Sequence, residues 1–294
     1  MDIAVTPFDV ESIEKLSNIG ADTFIIGNEN FANRLVKSFS LLDITKASEI
    51  IKKLHKKLII SCNLIIHNDD IEEVNDFLDT IKELQVDGII FGDLGLYNLA
   101  KKKNLEHLLI YNPETLNTNY YDPIFWSKKG IKGLIISKEI TLEDIQGISK
   151  NKTIEIGLIG HGHLNMFHSR RPLISNFFKY KEEEYKDYIN NKNLKLVEEL
   201  RNESYPVFQD EHGTHIFRAK SMESYQEIVV LGKHIDLFII DGILKDTTYL
   251  EQILLNYQQI LQSTNQETAK KISDSLQETH DSGFLYKKTV YDKY

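Results

Sequence analysis

Cysteine is almost missing from this chain. Among 294 residues there is one, Cys62. A single cysteine excludes an internal disulfide framework and a metal cluster held by several thiolates of this chain, and it indicates a reducing compartment. Because Cys62 ends an apolar run and has no obvious histidine partner, we interpret it as a core residue.

Long apolar runs and an excess of positive charge are also missing. No stretch approaches the roughly 20 apolar residues of a membrane span, and residues 1–5 lack the basic region of a signal peptide. We therefore expect a cytoplasmic protein without membrane contact. The formal net charge is −9, whereas a protein that grips nucleic acid alone usually has a basic face. Lysine clusters at 52–57 and 101–103 are interpreted as solvated helix ends.

Short apolar runs alternate with amphipathic stretches along most of the chain. This alternation predicts eight strand-helix units and a parallel sheet. The count of eight favours a closed (β/α)8 TIM-type barrel, and no G-x-G-x-x-G turn supports a dinucleotide-binding fold. The predicted strands are Ile3–Thr6, Thr23–Gly27, Leu58–Ile65, Gly88–Phe91, His107–Tyr111, Gly133–Ile136, Thr153–Ile159 and Ile235–Ile240.

Two segments interrupt this rhythm within a predicted single-domain barrel of residues 1–262. An insertion at about 161–222, between strands seven and eight, should hold a helix at 181–185, strands at 194–199, 207–210 and 215–218, and a hairpin turn at 210–213. The tail, residues 263–294, begins as a polar helix and should pack on the barrel. The sequence leaves two positions for the tail: it covers the pocket, or it covers the opposite, N-terminal end of the barrel.

Polar residues follow nearly every predicted strand. Barrel enzymes carry their chemistry at these carboxyl ends, so the residues predict a pocket mouth, although loop starts are polar in many proteins. The residues at these positions are Asn28, Glu29, Cys62, Asn63, Asp93, Asn112, Lys138, Glu139, His161 and Asp241.

Two histidine-rich segments are the densest candidate sites. In the first, His161 and His163 alternate as on a strand and are expected to face one side, with His168 nearby. Arg170 and Arg171 are candidates to clamp a carboxylate or phosphate. In the second, Asp210, Glu211, His212 and His215 are candidate acid-base groups. The alternative is that these residues are structural. The arginines would then pair with carboxylates, the histidines would bond to backbone carbonyls, and the hairpin tip would be solvated. The spacing is not that of a helical zinc motif, so we predict no metal site.

The same segments carry a resemblance to a known family. The runs His168–Leu173 (His-Ser-Arg-Arg-Pro-Leu) and 211–215 (Glu-His-Gly-Thr-His) resemble those of the peptidase U32 family, the collagenase-like proteases. Further similar segments are Thr115–Asn119, 125–130, 137–144, 205–206, 241–242 and 282–284. The resemblance covers nearly the whole chain and implies a barrel. Together, the strand ends, the histidine-rich segments and these runs give the candidate sites. The candidate catalytic residues are His161, His168, Arg170, Arg171, Glu211 and His212, and the candidate substrate contacts are Asn63, Asn119, Glu139, His163, Thr214, His215 and Asp241.

The resemblance implies a function other than proteolysis. Several members of the family are linked to oxygen-independent hydroxylation of RNA, carry four cysteines for an iron–sulfur cluster and, in the tRNA case, depend on prephenate. This sequence is similar to the shorter, cysteine-free one of two paralogues linked to 5-hydroxyuridine in tRNA. The expected role is therefore support of tRNA wobble-uridine hydroxylation with a cysteine-bearing paralogue, as a heterodimer that contacts tRNA and a small carboxylate such as prephenate. The chain itself is expected to bind no cofactor, and whether it is catalytic stays open. The alternatives are a metal-dependent or acid-base peptidase and a non-catalytic scaffold.

Overall fold

A closed barrel of eight parallel strands forms the centre of the molecule. The computed structural model describes residues 1–183, 187–198 and 203–287. The strands before the insertion are β1 (Asp2–Val5), β2 (Thr23–Gly27), β3 (Lys57–Cys62), β4 (Gly88–Phe91), β5 (Leu109–Tyr111), β6 (Gly133–Ile135) and β7 (Glu155–His161). The insertion contributes β8 (Asn165–Ser169), β9 (Lys195–Glu198), β10 (Glu203–Asp210), β11 (Gly213–Phe217) and β12 (Ser221–Met222). Strand β13 (Leu237–Ile240) then closes the barrel between β1 and β7.

The strands are apolar throughout because both of their faces are buried. One face points into the barrel, where side chains such as Ile25, Ile90 and Ile239 pack in layers. The opposite face, which includes Phe24 and Phe238, packs against the surrounding helices. The predicted (β/α)8 fold with an insertion between the seventh and eighth barrel strands is confirmed.

Helices cover the outside of the barrel. They are α1 (Ser12–Ile19), α2 (Leu41–Lys53), α3 (Ile71–Leu84), α4 (Leu94–Lys102), α5 (Tyr121–Ser127), α6 (Leu142–Ser149), α7 (Leu173–Lys181), α8 (Ile228–Leu231), α9 (Thr247–Ser263) and α10 (Gln266–Ser275). Local signals begin several of them. The Thr141 hydroxyl accepts from the backbone N–H of Asp144 at 3.2 Å, and the Asp144 carboxylate accepts from the Thr141 N–H at 3.2 Å, a reciprocal cap at the start of α6.

The insertion folds as a four-stranded antiparallel sheet in the order β8-β11-β10-β9. The predicted hairpin is confirmed, since Asp210 pairs with Gly213 across a two-residue turn and Gly213 takes a φ of +119°. The predicted helix at 181–185 is wrong over the described residues: helix α7 lies upstream and ends at Lys181, where Glu182 adopts the left-handed conformation. Residues 184–186 of that prediction lie outside the described residues. The first strand of this sheet, β8, was not predicted.

The tail docks near the carboxyl ends of the barrel strands. Strand β14 (His280–Asp281) pairs with β12, and Arg218 holds Asp281 with two hydrogen bonds of 3.0 and 2.8 Å. Beyond β14, the buried Leu285 accepts from the N–H of Leu142, the first residue of α6. The tail therefore lies at the end of the barrel where the sequence places its polar residues.

Across residues 1–183, 187–198 and 203–287, the structure contains no helix that is long and apolar enough to cross a membrane.

Candidate functional site

Two connected cavities occupy the carboxyl end of the barrel. A cavity of about 90 Å³ lies in the barrel mouth, and a cleft of about 530 Å³ separates the 28–43 segment from the insertion. Asn33 and Arg34 line both. The segment is held by Asn28, whose side chain donates to the Phe39 carbonyl at 2.9 Å. Across the cleft, the Lys192 ammonium donates to the carbonyls of Leu35 and Val36 at 3.1 and 3.0 Å. The insertion thus roofs one side of the barrel mouth.

A triad of charges lies beside the barrel mouth. Glu114 accepts from Arg34 at 2.5 Å and from Lys138 at 2.8 Å. Burial opposes ionisation of Glu114, but the two cations outweigh it and lower its pKa to about 2. The carboxylate therefore stays charged, and the triad carries one net positive charge. An Arg has five N–H donors and a Lys three, so both cations keep donors for a further anionic group.

Two further groups face the same space. Asp241 follows β13, and its Oδ1 accepts from the Ile243 N–H at 3.0 Å, but burial raises its pKa to about 6. Asn33 is 4% exposed, and its Oδ1 is buried with no hydrogen-bond partner among the residues that the structure describes. A buried carbonyl oxygen without a partner is costly. The mouth therefore holds hydrogen-bond donors for an anion and the Asp241 carboxyl with a pKa of about 6. It also holds the Asn33 carbonyl oxygen, which can accept from a ligand hydroxyl or amide.

A histidine cluster forms on the insertion. His168 and His215 stack with ring centres 4.7 Å apart, and His215 Nε2 donates to Asp210 at 3.0 Å. The Nε2 of His168 donates to the His212 carbonyl at 3.1 Å, while His212 Nε2 donates to the Glu29 carbonyl at 2.6 Å. Burial lowers the pKa of His168. The cluster joins the insertion to the loop after β2.

Arg170 stands at the edge of this cluster. It is exposed, and it lines a cavity of about 110 Å³ together with Cys62, His168 and His212. The neighbouring Arg171 is also exposed, but it does not line this cavity. Cys62 is 1% exposed, and burial raises the pKa of its thiol, as expected for a core residue.

His161 lies outside the barrel mouth, in a buried pocket of tyrosines. Tyr249 donates to Glu278, so His161 Nε2 donates to the Tyr249 hydroxyl at 2.9 Å, and Nδ1 accepts from Tyr257 at 3.1 Å. Burial lowers the pKa of His161 to about 3, and it is therefore neutral.

His161 and His163 have different hydrogen-bond partners. His161 contacts the tyrosine pocket, whereas His163 Nδ1 donates to the Arg218 carbonyl at 3.0 Å. The strand register shifts at Gly160, just before His161, and Gly162 follows with a φ of +127°. A Cβ at Gly160 would lie 2.0 Å from the Phe238 ring, so the bulge depends on glycine.

Three other predicted residues make hydrogen bonds to the backbone. Asn63 lines the barrel mouth, where its Oδ1 accepts from the Asn33 N–H at 3.0 Å. Asn119 caps the first turn of α5, accepting from the Tyr121 N–H at 2.9 Å. Thr214 ties down the 171–173 turn, donating to the Arg171 carbonyl at 2.9 Å.

Two predicted residues lie in other depressions of the surface. Glu139 lines a surface pocket near Arg218 and Asp281. Glu211 is exposed at the hairpin tip, on the edge of the 530 Å³ cleft.

Sequence reasoning missed Arg34, Glu114 and Asn33. Glu114 lies two residues beyond the Asn112 that was noted at the end of a strand, so a wider window would have included it. Arg34 lies in the loop after β2 and has a φ of 54°. Its role depends on a contact across 80 residues, which no local pattern reveals.

The donor set of this chain does not fit an iron–sulfur cluster. Such clusters take about four thiolates, and the one thiol here is buried. Within the described ranges, no group of three or more His, Cys, Asp or Glu side chains is arranged to hold a metal ion.

Comparisons with known proteins agree on one family. The model of Peptidase family U32 matches residues 8–292. The tRNA hydroxylation protein P2 of Bacillus subtilis strain 168 is 32% identical over 307 aligned residues, which cover 99% of each chain. The tRNA hydroxylation protein P1 of the same organism is 24% identical over 172 residues, 57% of this chain and 40% of that protein.

A solved structure shows the same fold. The U32 peptidase Mk0906 superposes with a TM-score of 0.51 at 13% sequence identity, covering 82% of this chain and 92% of that one. At this identity the likeness concerns the fold alone.

Proposed function

The chain belongs to peptidase family U32, and from that membership we propose that it takes part in the hydroxylation of tRNA. One observation carries the proposal: similarity to a tRNA hydroxylation protein runs over 99% of both chains at 32% identity. Similarity over the full length includes the barrel, the insertion and the tail, and therefore the elements that form the cavities. In this role the protein would act on tRNA in the cytoplasm.

The reaction that we propose is formation of 5-hydroxyuridine at the wobble position, with a second U32 protein as partner. Support for a pair comes from Bacillus subtilis, where proteins named P1 and P2 both resemble this chain. Because this chain has one buried cysteine, the iron–sulfur cluster would be held by the partner. A heterodimer would then combine a cluster with the cavities described above.

The barrel mouth is our proposed site for a small carboxylate such as prephenate. Arg34, which lines the mouth, keeps donors for a carboxylate, and Asn33 has an unpaired acceptor for a hydroxyl group. Asp241, with its pKa near 6, is suited to exchange a proton at neutral pH. These residues would bind and orient the ligand.

Nucleoside mass spectrometry of tRNA tests the function. A strain that lacks this gene but keeps its partner should lose 5-hydroxyuridine derivatives, and the wild-type gene should restore them. If deletion of both genes leaves the modification intact, the proposed function is wrong.

Variants of the same strain test the site. Asn33→Ala should restore little 5-hydroxyuridine, although its fold is preserved, because it removes an acceptor that has no protein partner to lose. Arg170→Ala should also reduce the modification, since Arg170 lines a cavity. Arg171→Ala is the matched control and should restore it. Full restoration by Asn33→Ala would remove the barrel mouth from the mechanism.

A further inference from the structure

One face of the barrel wall concentrates unpaired positive charge beside exposed aromatic rings. It comprises Lys101 and Lys102 at the end of α4, and Tyr121, Phe125, Lys128 and Lys129 along and just after α5; we name it the α4–α5 face. A hydrogen bond of 3.1 Å from the Tyr97 hydroxyl of α4 to the Lys129 carbonyl joins the two helix ends. The Lys101 ammonium lies 5.9 Å from the Tyr97 ring centre.

The α5 part of the face combines two aromatic rings with two lysines. Tyr121 and Phe125, four residues apart, lie on one side of α5, and Lys128 and Lys129 follow directly after its end at Ser127. Tyr121 is 65% exposed and Phe125 is 53% exposed. The Lys129 ammonium lies 5.3 Å from the Phe125 ring centre. Helices normally turn aromatic residues toward the core, as α5 does with Trp126, but Tyr121 and Phe125 point to solvent.

The lysines of this face lack the acidic partners that several other lysines have. Among the described residues, no carboxylate lies within ion-pair distance of the four face lysines, whereas Lys56 pairs with Asp22 at 3.1 Å, Lys57 with Asp2 at 2.7 Å and Lys103 with Asp79 at 2.6 Å.

Two acidic side chains lie near the face without removing its charge. Asp122 accepts from the Asn119 N–H, and Glu106 packs beside Gly130. Four lysines against two carboxylates leave the face positive on a protein whose net charge is −9.

We propose that the α4–α5 face binds the single-stranded loop of a tRNA. Lysine ammonium groups contact phosphates, and exposed aromatic rings stack on unpaired bases, which is how proteins grip single-stranded nucleic acid. An acidic protein surface would complement the lysines but would make no use of the exposed ring faces of Tyr121 and Phe125. This inference rests on the proposed function and adds the surface through which an acidic chain holds RNA.

Binding of an unmodified tRNA transcript to the purified full-length chain tests the face directly, in a series of salt concentrations. Lys128→Glu with Lys129→Glu should weaken binding about tenfold or more and reduce the slope of log affinity against log salt by about two. Phe125→Ala should weaken binding about tenfold and leave the slope unchanged, because stacking releases no counterions.

Lys46→Glu with Lys53→Glu is the matched control. Both lysines are exposed on α2, and the pair makes the same change in net charge. The control should bind like wild type. Equal weakening by the control, or no weakening by either pair, would overturn the proposal.

Complementation of the deletion strain separates this proposal from the proposed function. Loss of 5-hydroxyuridine in the α5 lysine variant, with weakened tRNA binding, supports both. Loss of the modification with unchanged tRNA affinity assigns the face to a protein partner and overturns the RNA proposal. If deletion of both this gene and its partner leaves 5-hydroxyuridine intact, the proposed function fails, and the binding series alone decides the role of the face.

Discussion

Replacing Glu114 by glutamine tests the charged triad of the barrel mouth. The substitution keeps the shape of the side chain but removes the negative charge that pairs with both Arg34 and Lys138. The pKa of Glu114 falls from its ordinary 4.5 to about 2, which corresponds to about 3 kcal/mol of stability at neutral pH. Since 27% of the side chain is exposed, solvent screening reduces the expected loss to about 2 kcal/mol.

The pH dependence of that loss has a fixed sign. A carboxylate whose pKa is lowered by folding stabilises the protein above its unfolded pKa, and the stabilisation disappears as the pH falls through the folded pKa. The Glu114→Gln penalty should therefore be complete at pH 7 and fall to roughly half by pH 3. Urea unfolding of wild type and variant at both pH values measures it.

A surface pair supplies the control for this measurement. Glu251 pairs with Lys15, whose side chain is 66% exposed, so Glu251→Gln should cost less than about 1 kcal/mol. The reasoning about the triad is refuted if Glu114→Gln costs no more than the control at pH 7. It is also refuted if the penalty at pH 3 equals the penalty at pH 7.

Three further substitutions test other parts of the structure. His161→Phe should cost about 2 kcal/mol of unfolding free energy at pH 7, because two hydrogen bonds are lost. The cost should be smaller at pH 5, because His161 takes up a proton only in the unfolded state of the wild type, which destabilises the wild type and not the variant. Urea unfolding at the two pH values checks this. Asp241→Asn should raise the free energy of unfolding by about 1–2 kcal/mol at pH 8 but not at pH 4. Folding raises the pKa of Asp241 to about 6, so its charged form destabilises the folded protein at pH 8. Equal effects at both pH values would contradict this assignment. Gly160→Ala should cost about 3 kcal/mol by overpacking against Phe238, which thermal unfolding measures against the open position Gly147→Ala.

Much of the fold could be predicted from local patterns. Strands such as β4 and β13 are continuous apolar runs, and their number and order predict a barrel because both faces of each strand must be buried. Caps such as Thr141 and the two-residue hairpin at 210–213 depend on contacts within a few residues. The helix predicted at 181–185 is wrong at Glu182, where α7 has already ended, because charged residues suit a helix interior and a helix end alike.

The candidate site was predicted only in part. Asn63 and Asp241 lie in the barrel mouth because strand ends converge there in any barrel. His161 also ends a strand, but the bulge at Gly160 places it in the tyrosine pocket. Arg34 and Glu114 were missed because a loop residue acquires its partner only when distant segments fold together.

The sequence by itself determined the strand-helix alternation, the position of the insertion and the family, since each depends on residue types at short spacing. The tertiary structure alone decided which polar groups share a cavity. Barrel closure brings Arg34, Glu114 and Lys138 within hydrogen-bond distance, and a one-residue bulge changes the surroundings of His161. Side-chain direction and long-range contact are set by packing, and packing has no local signature.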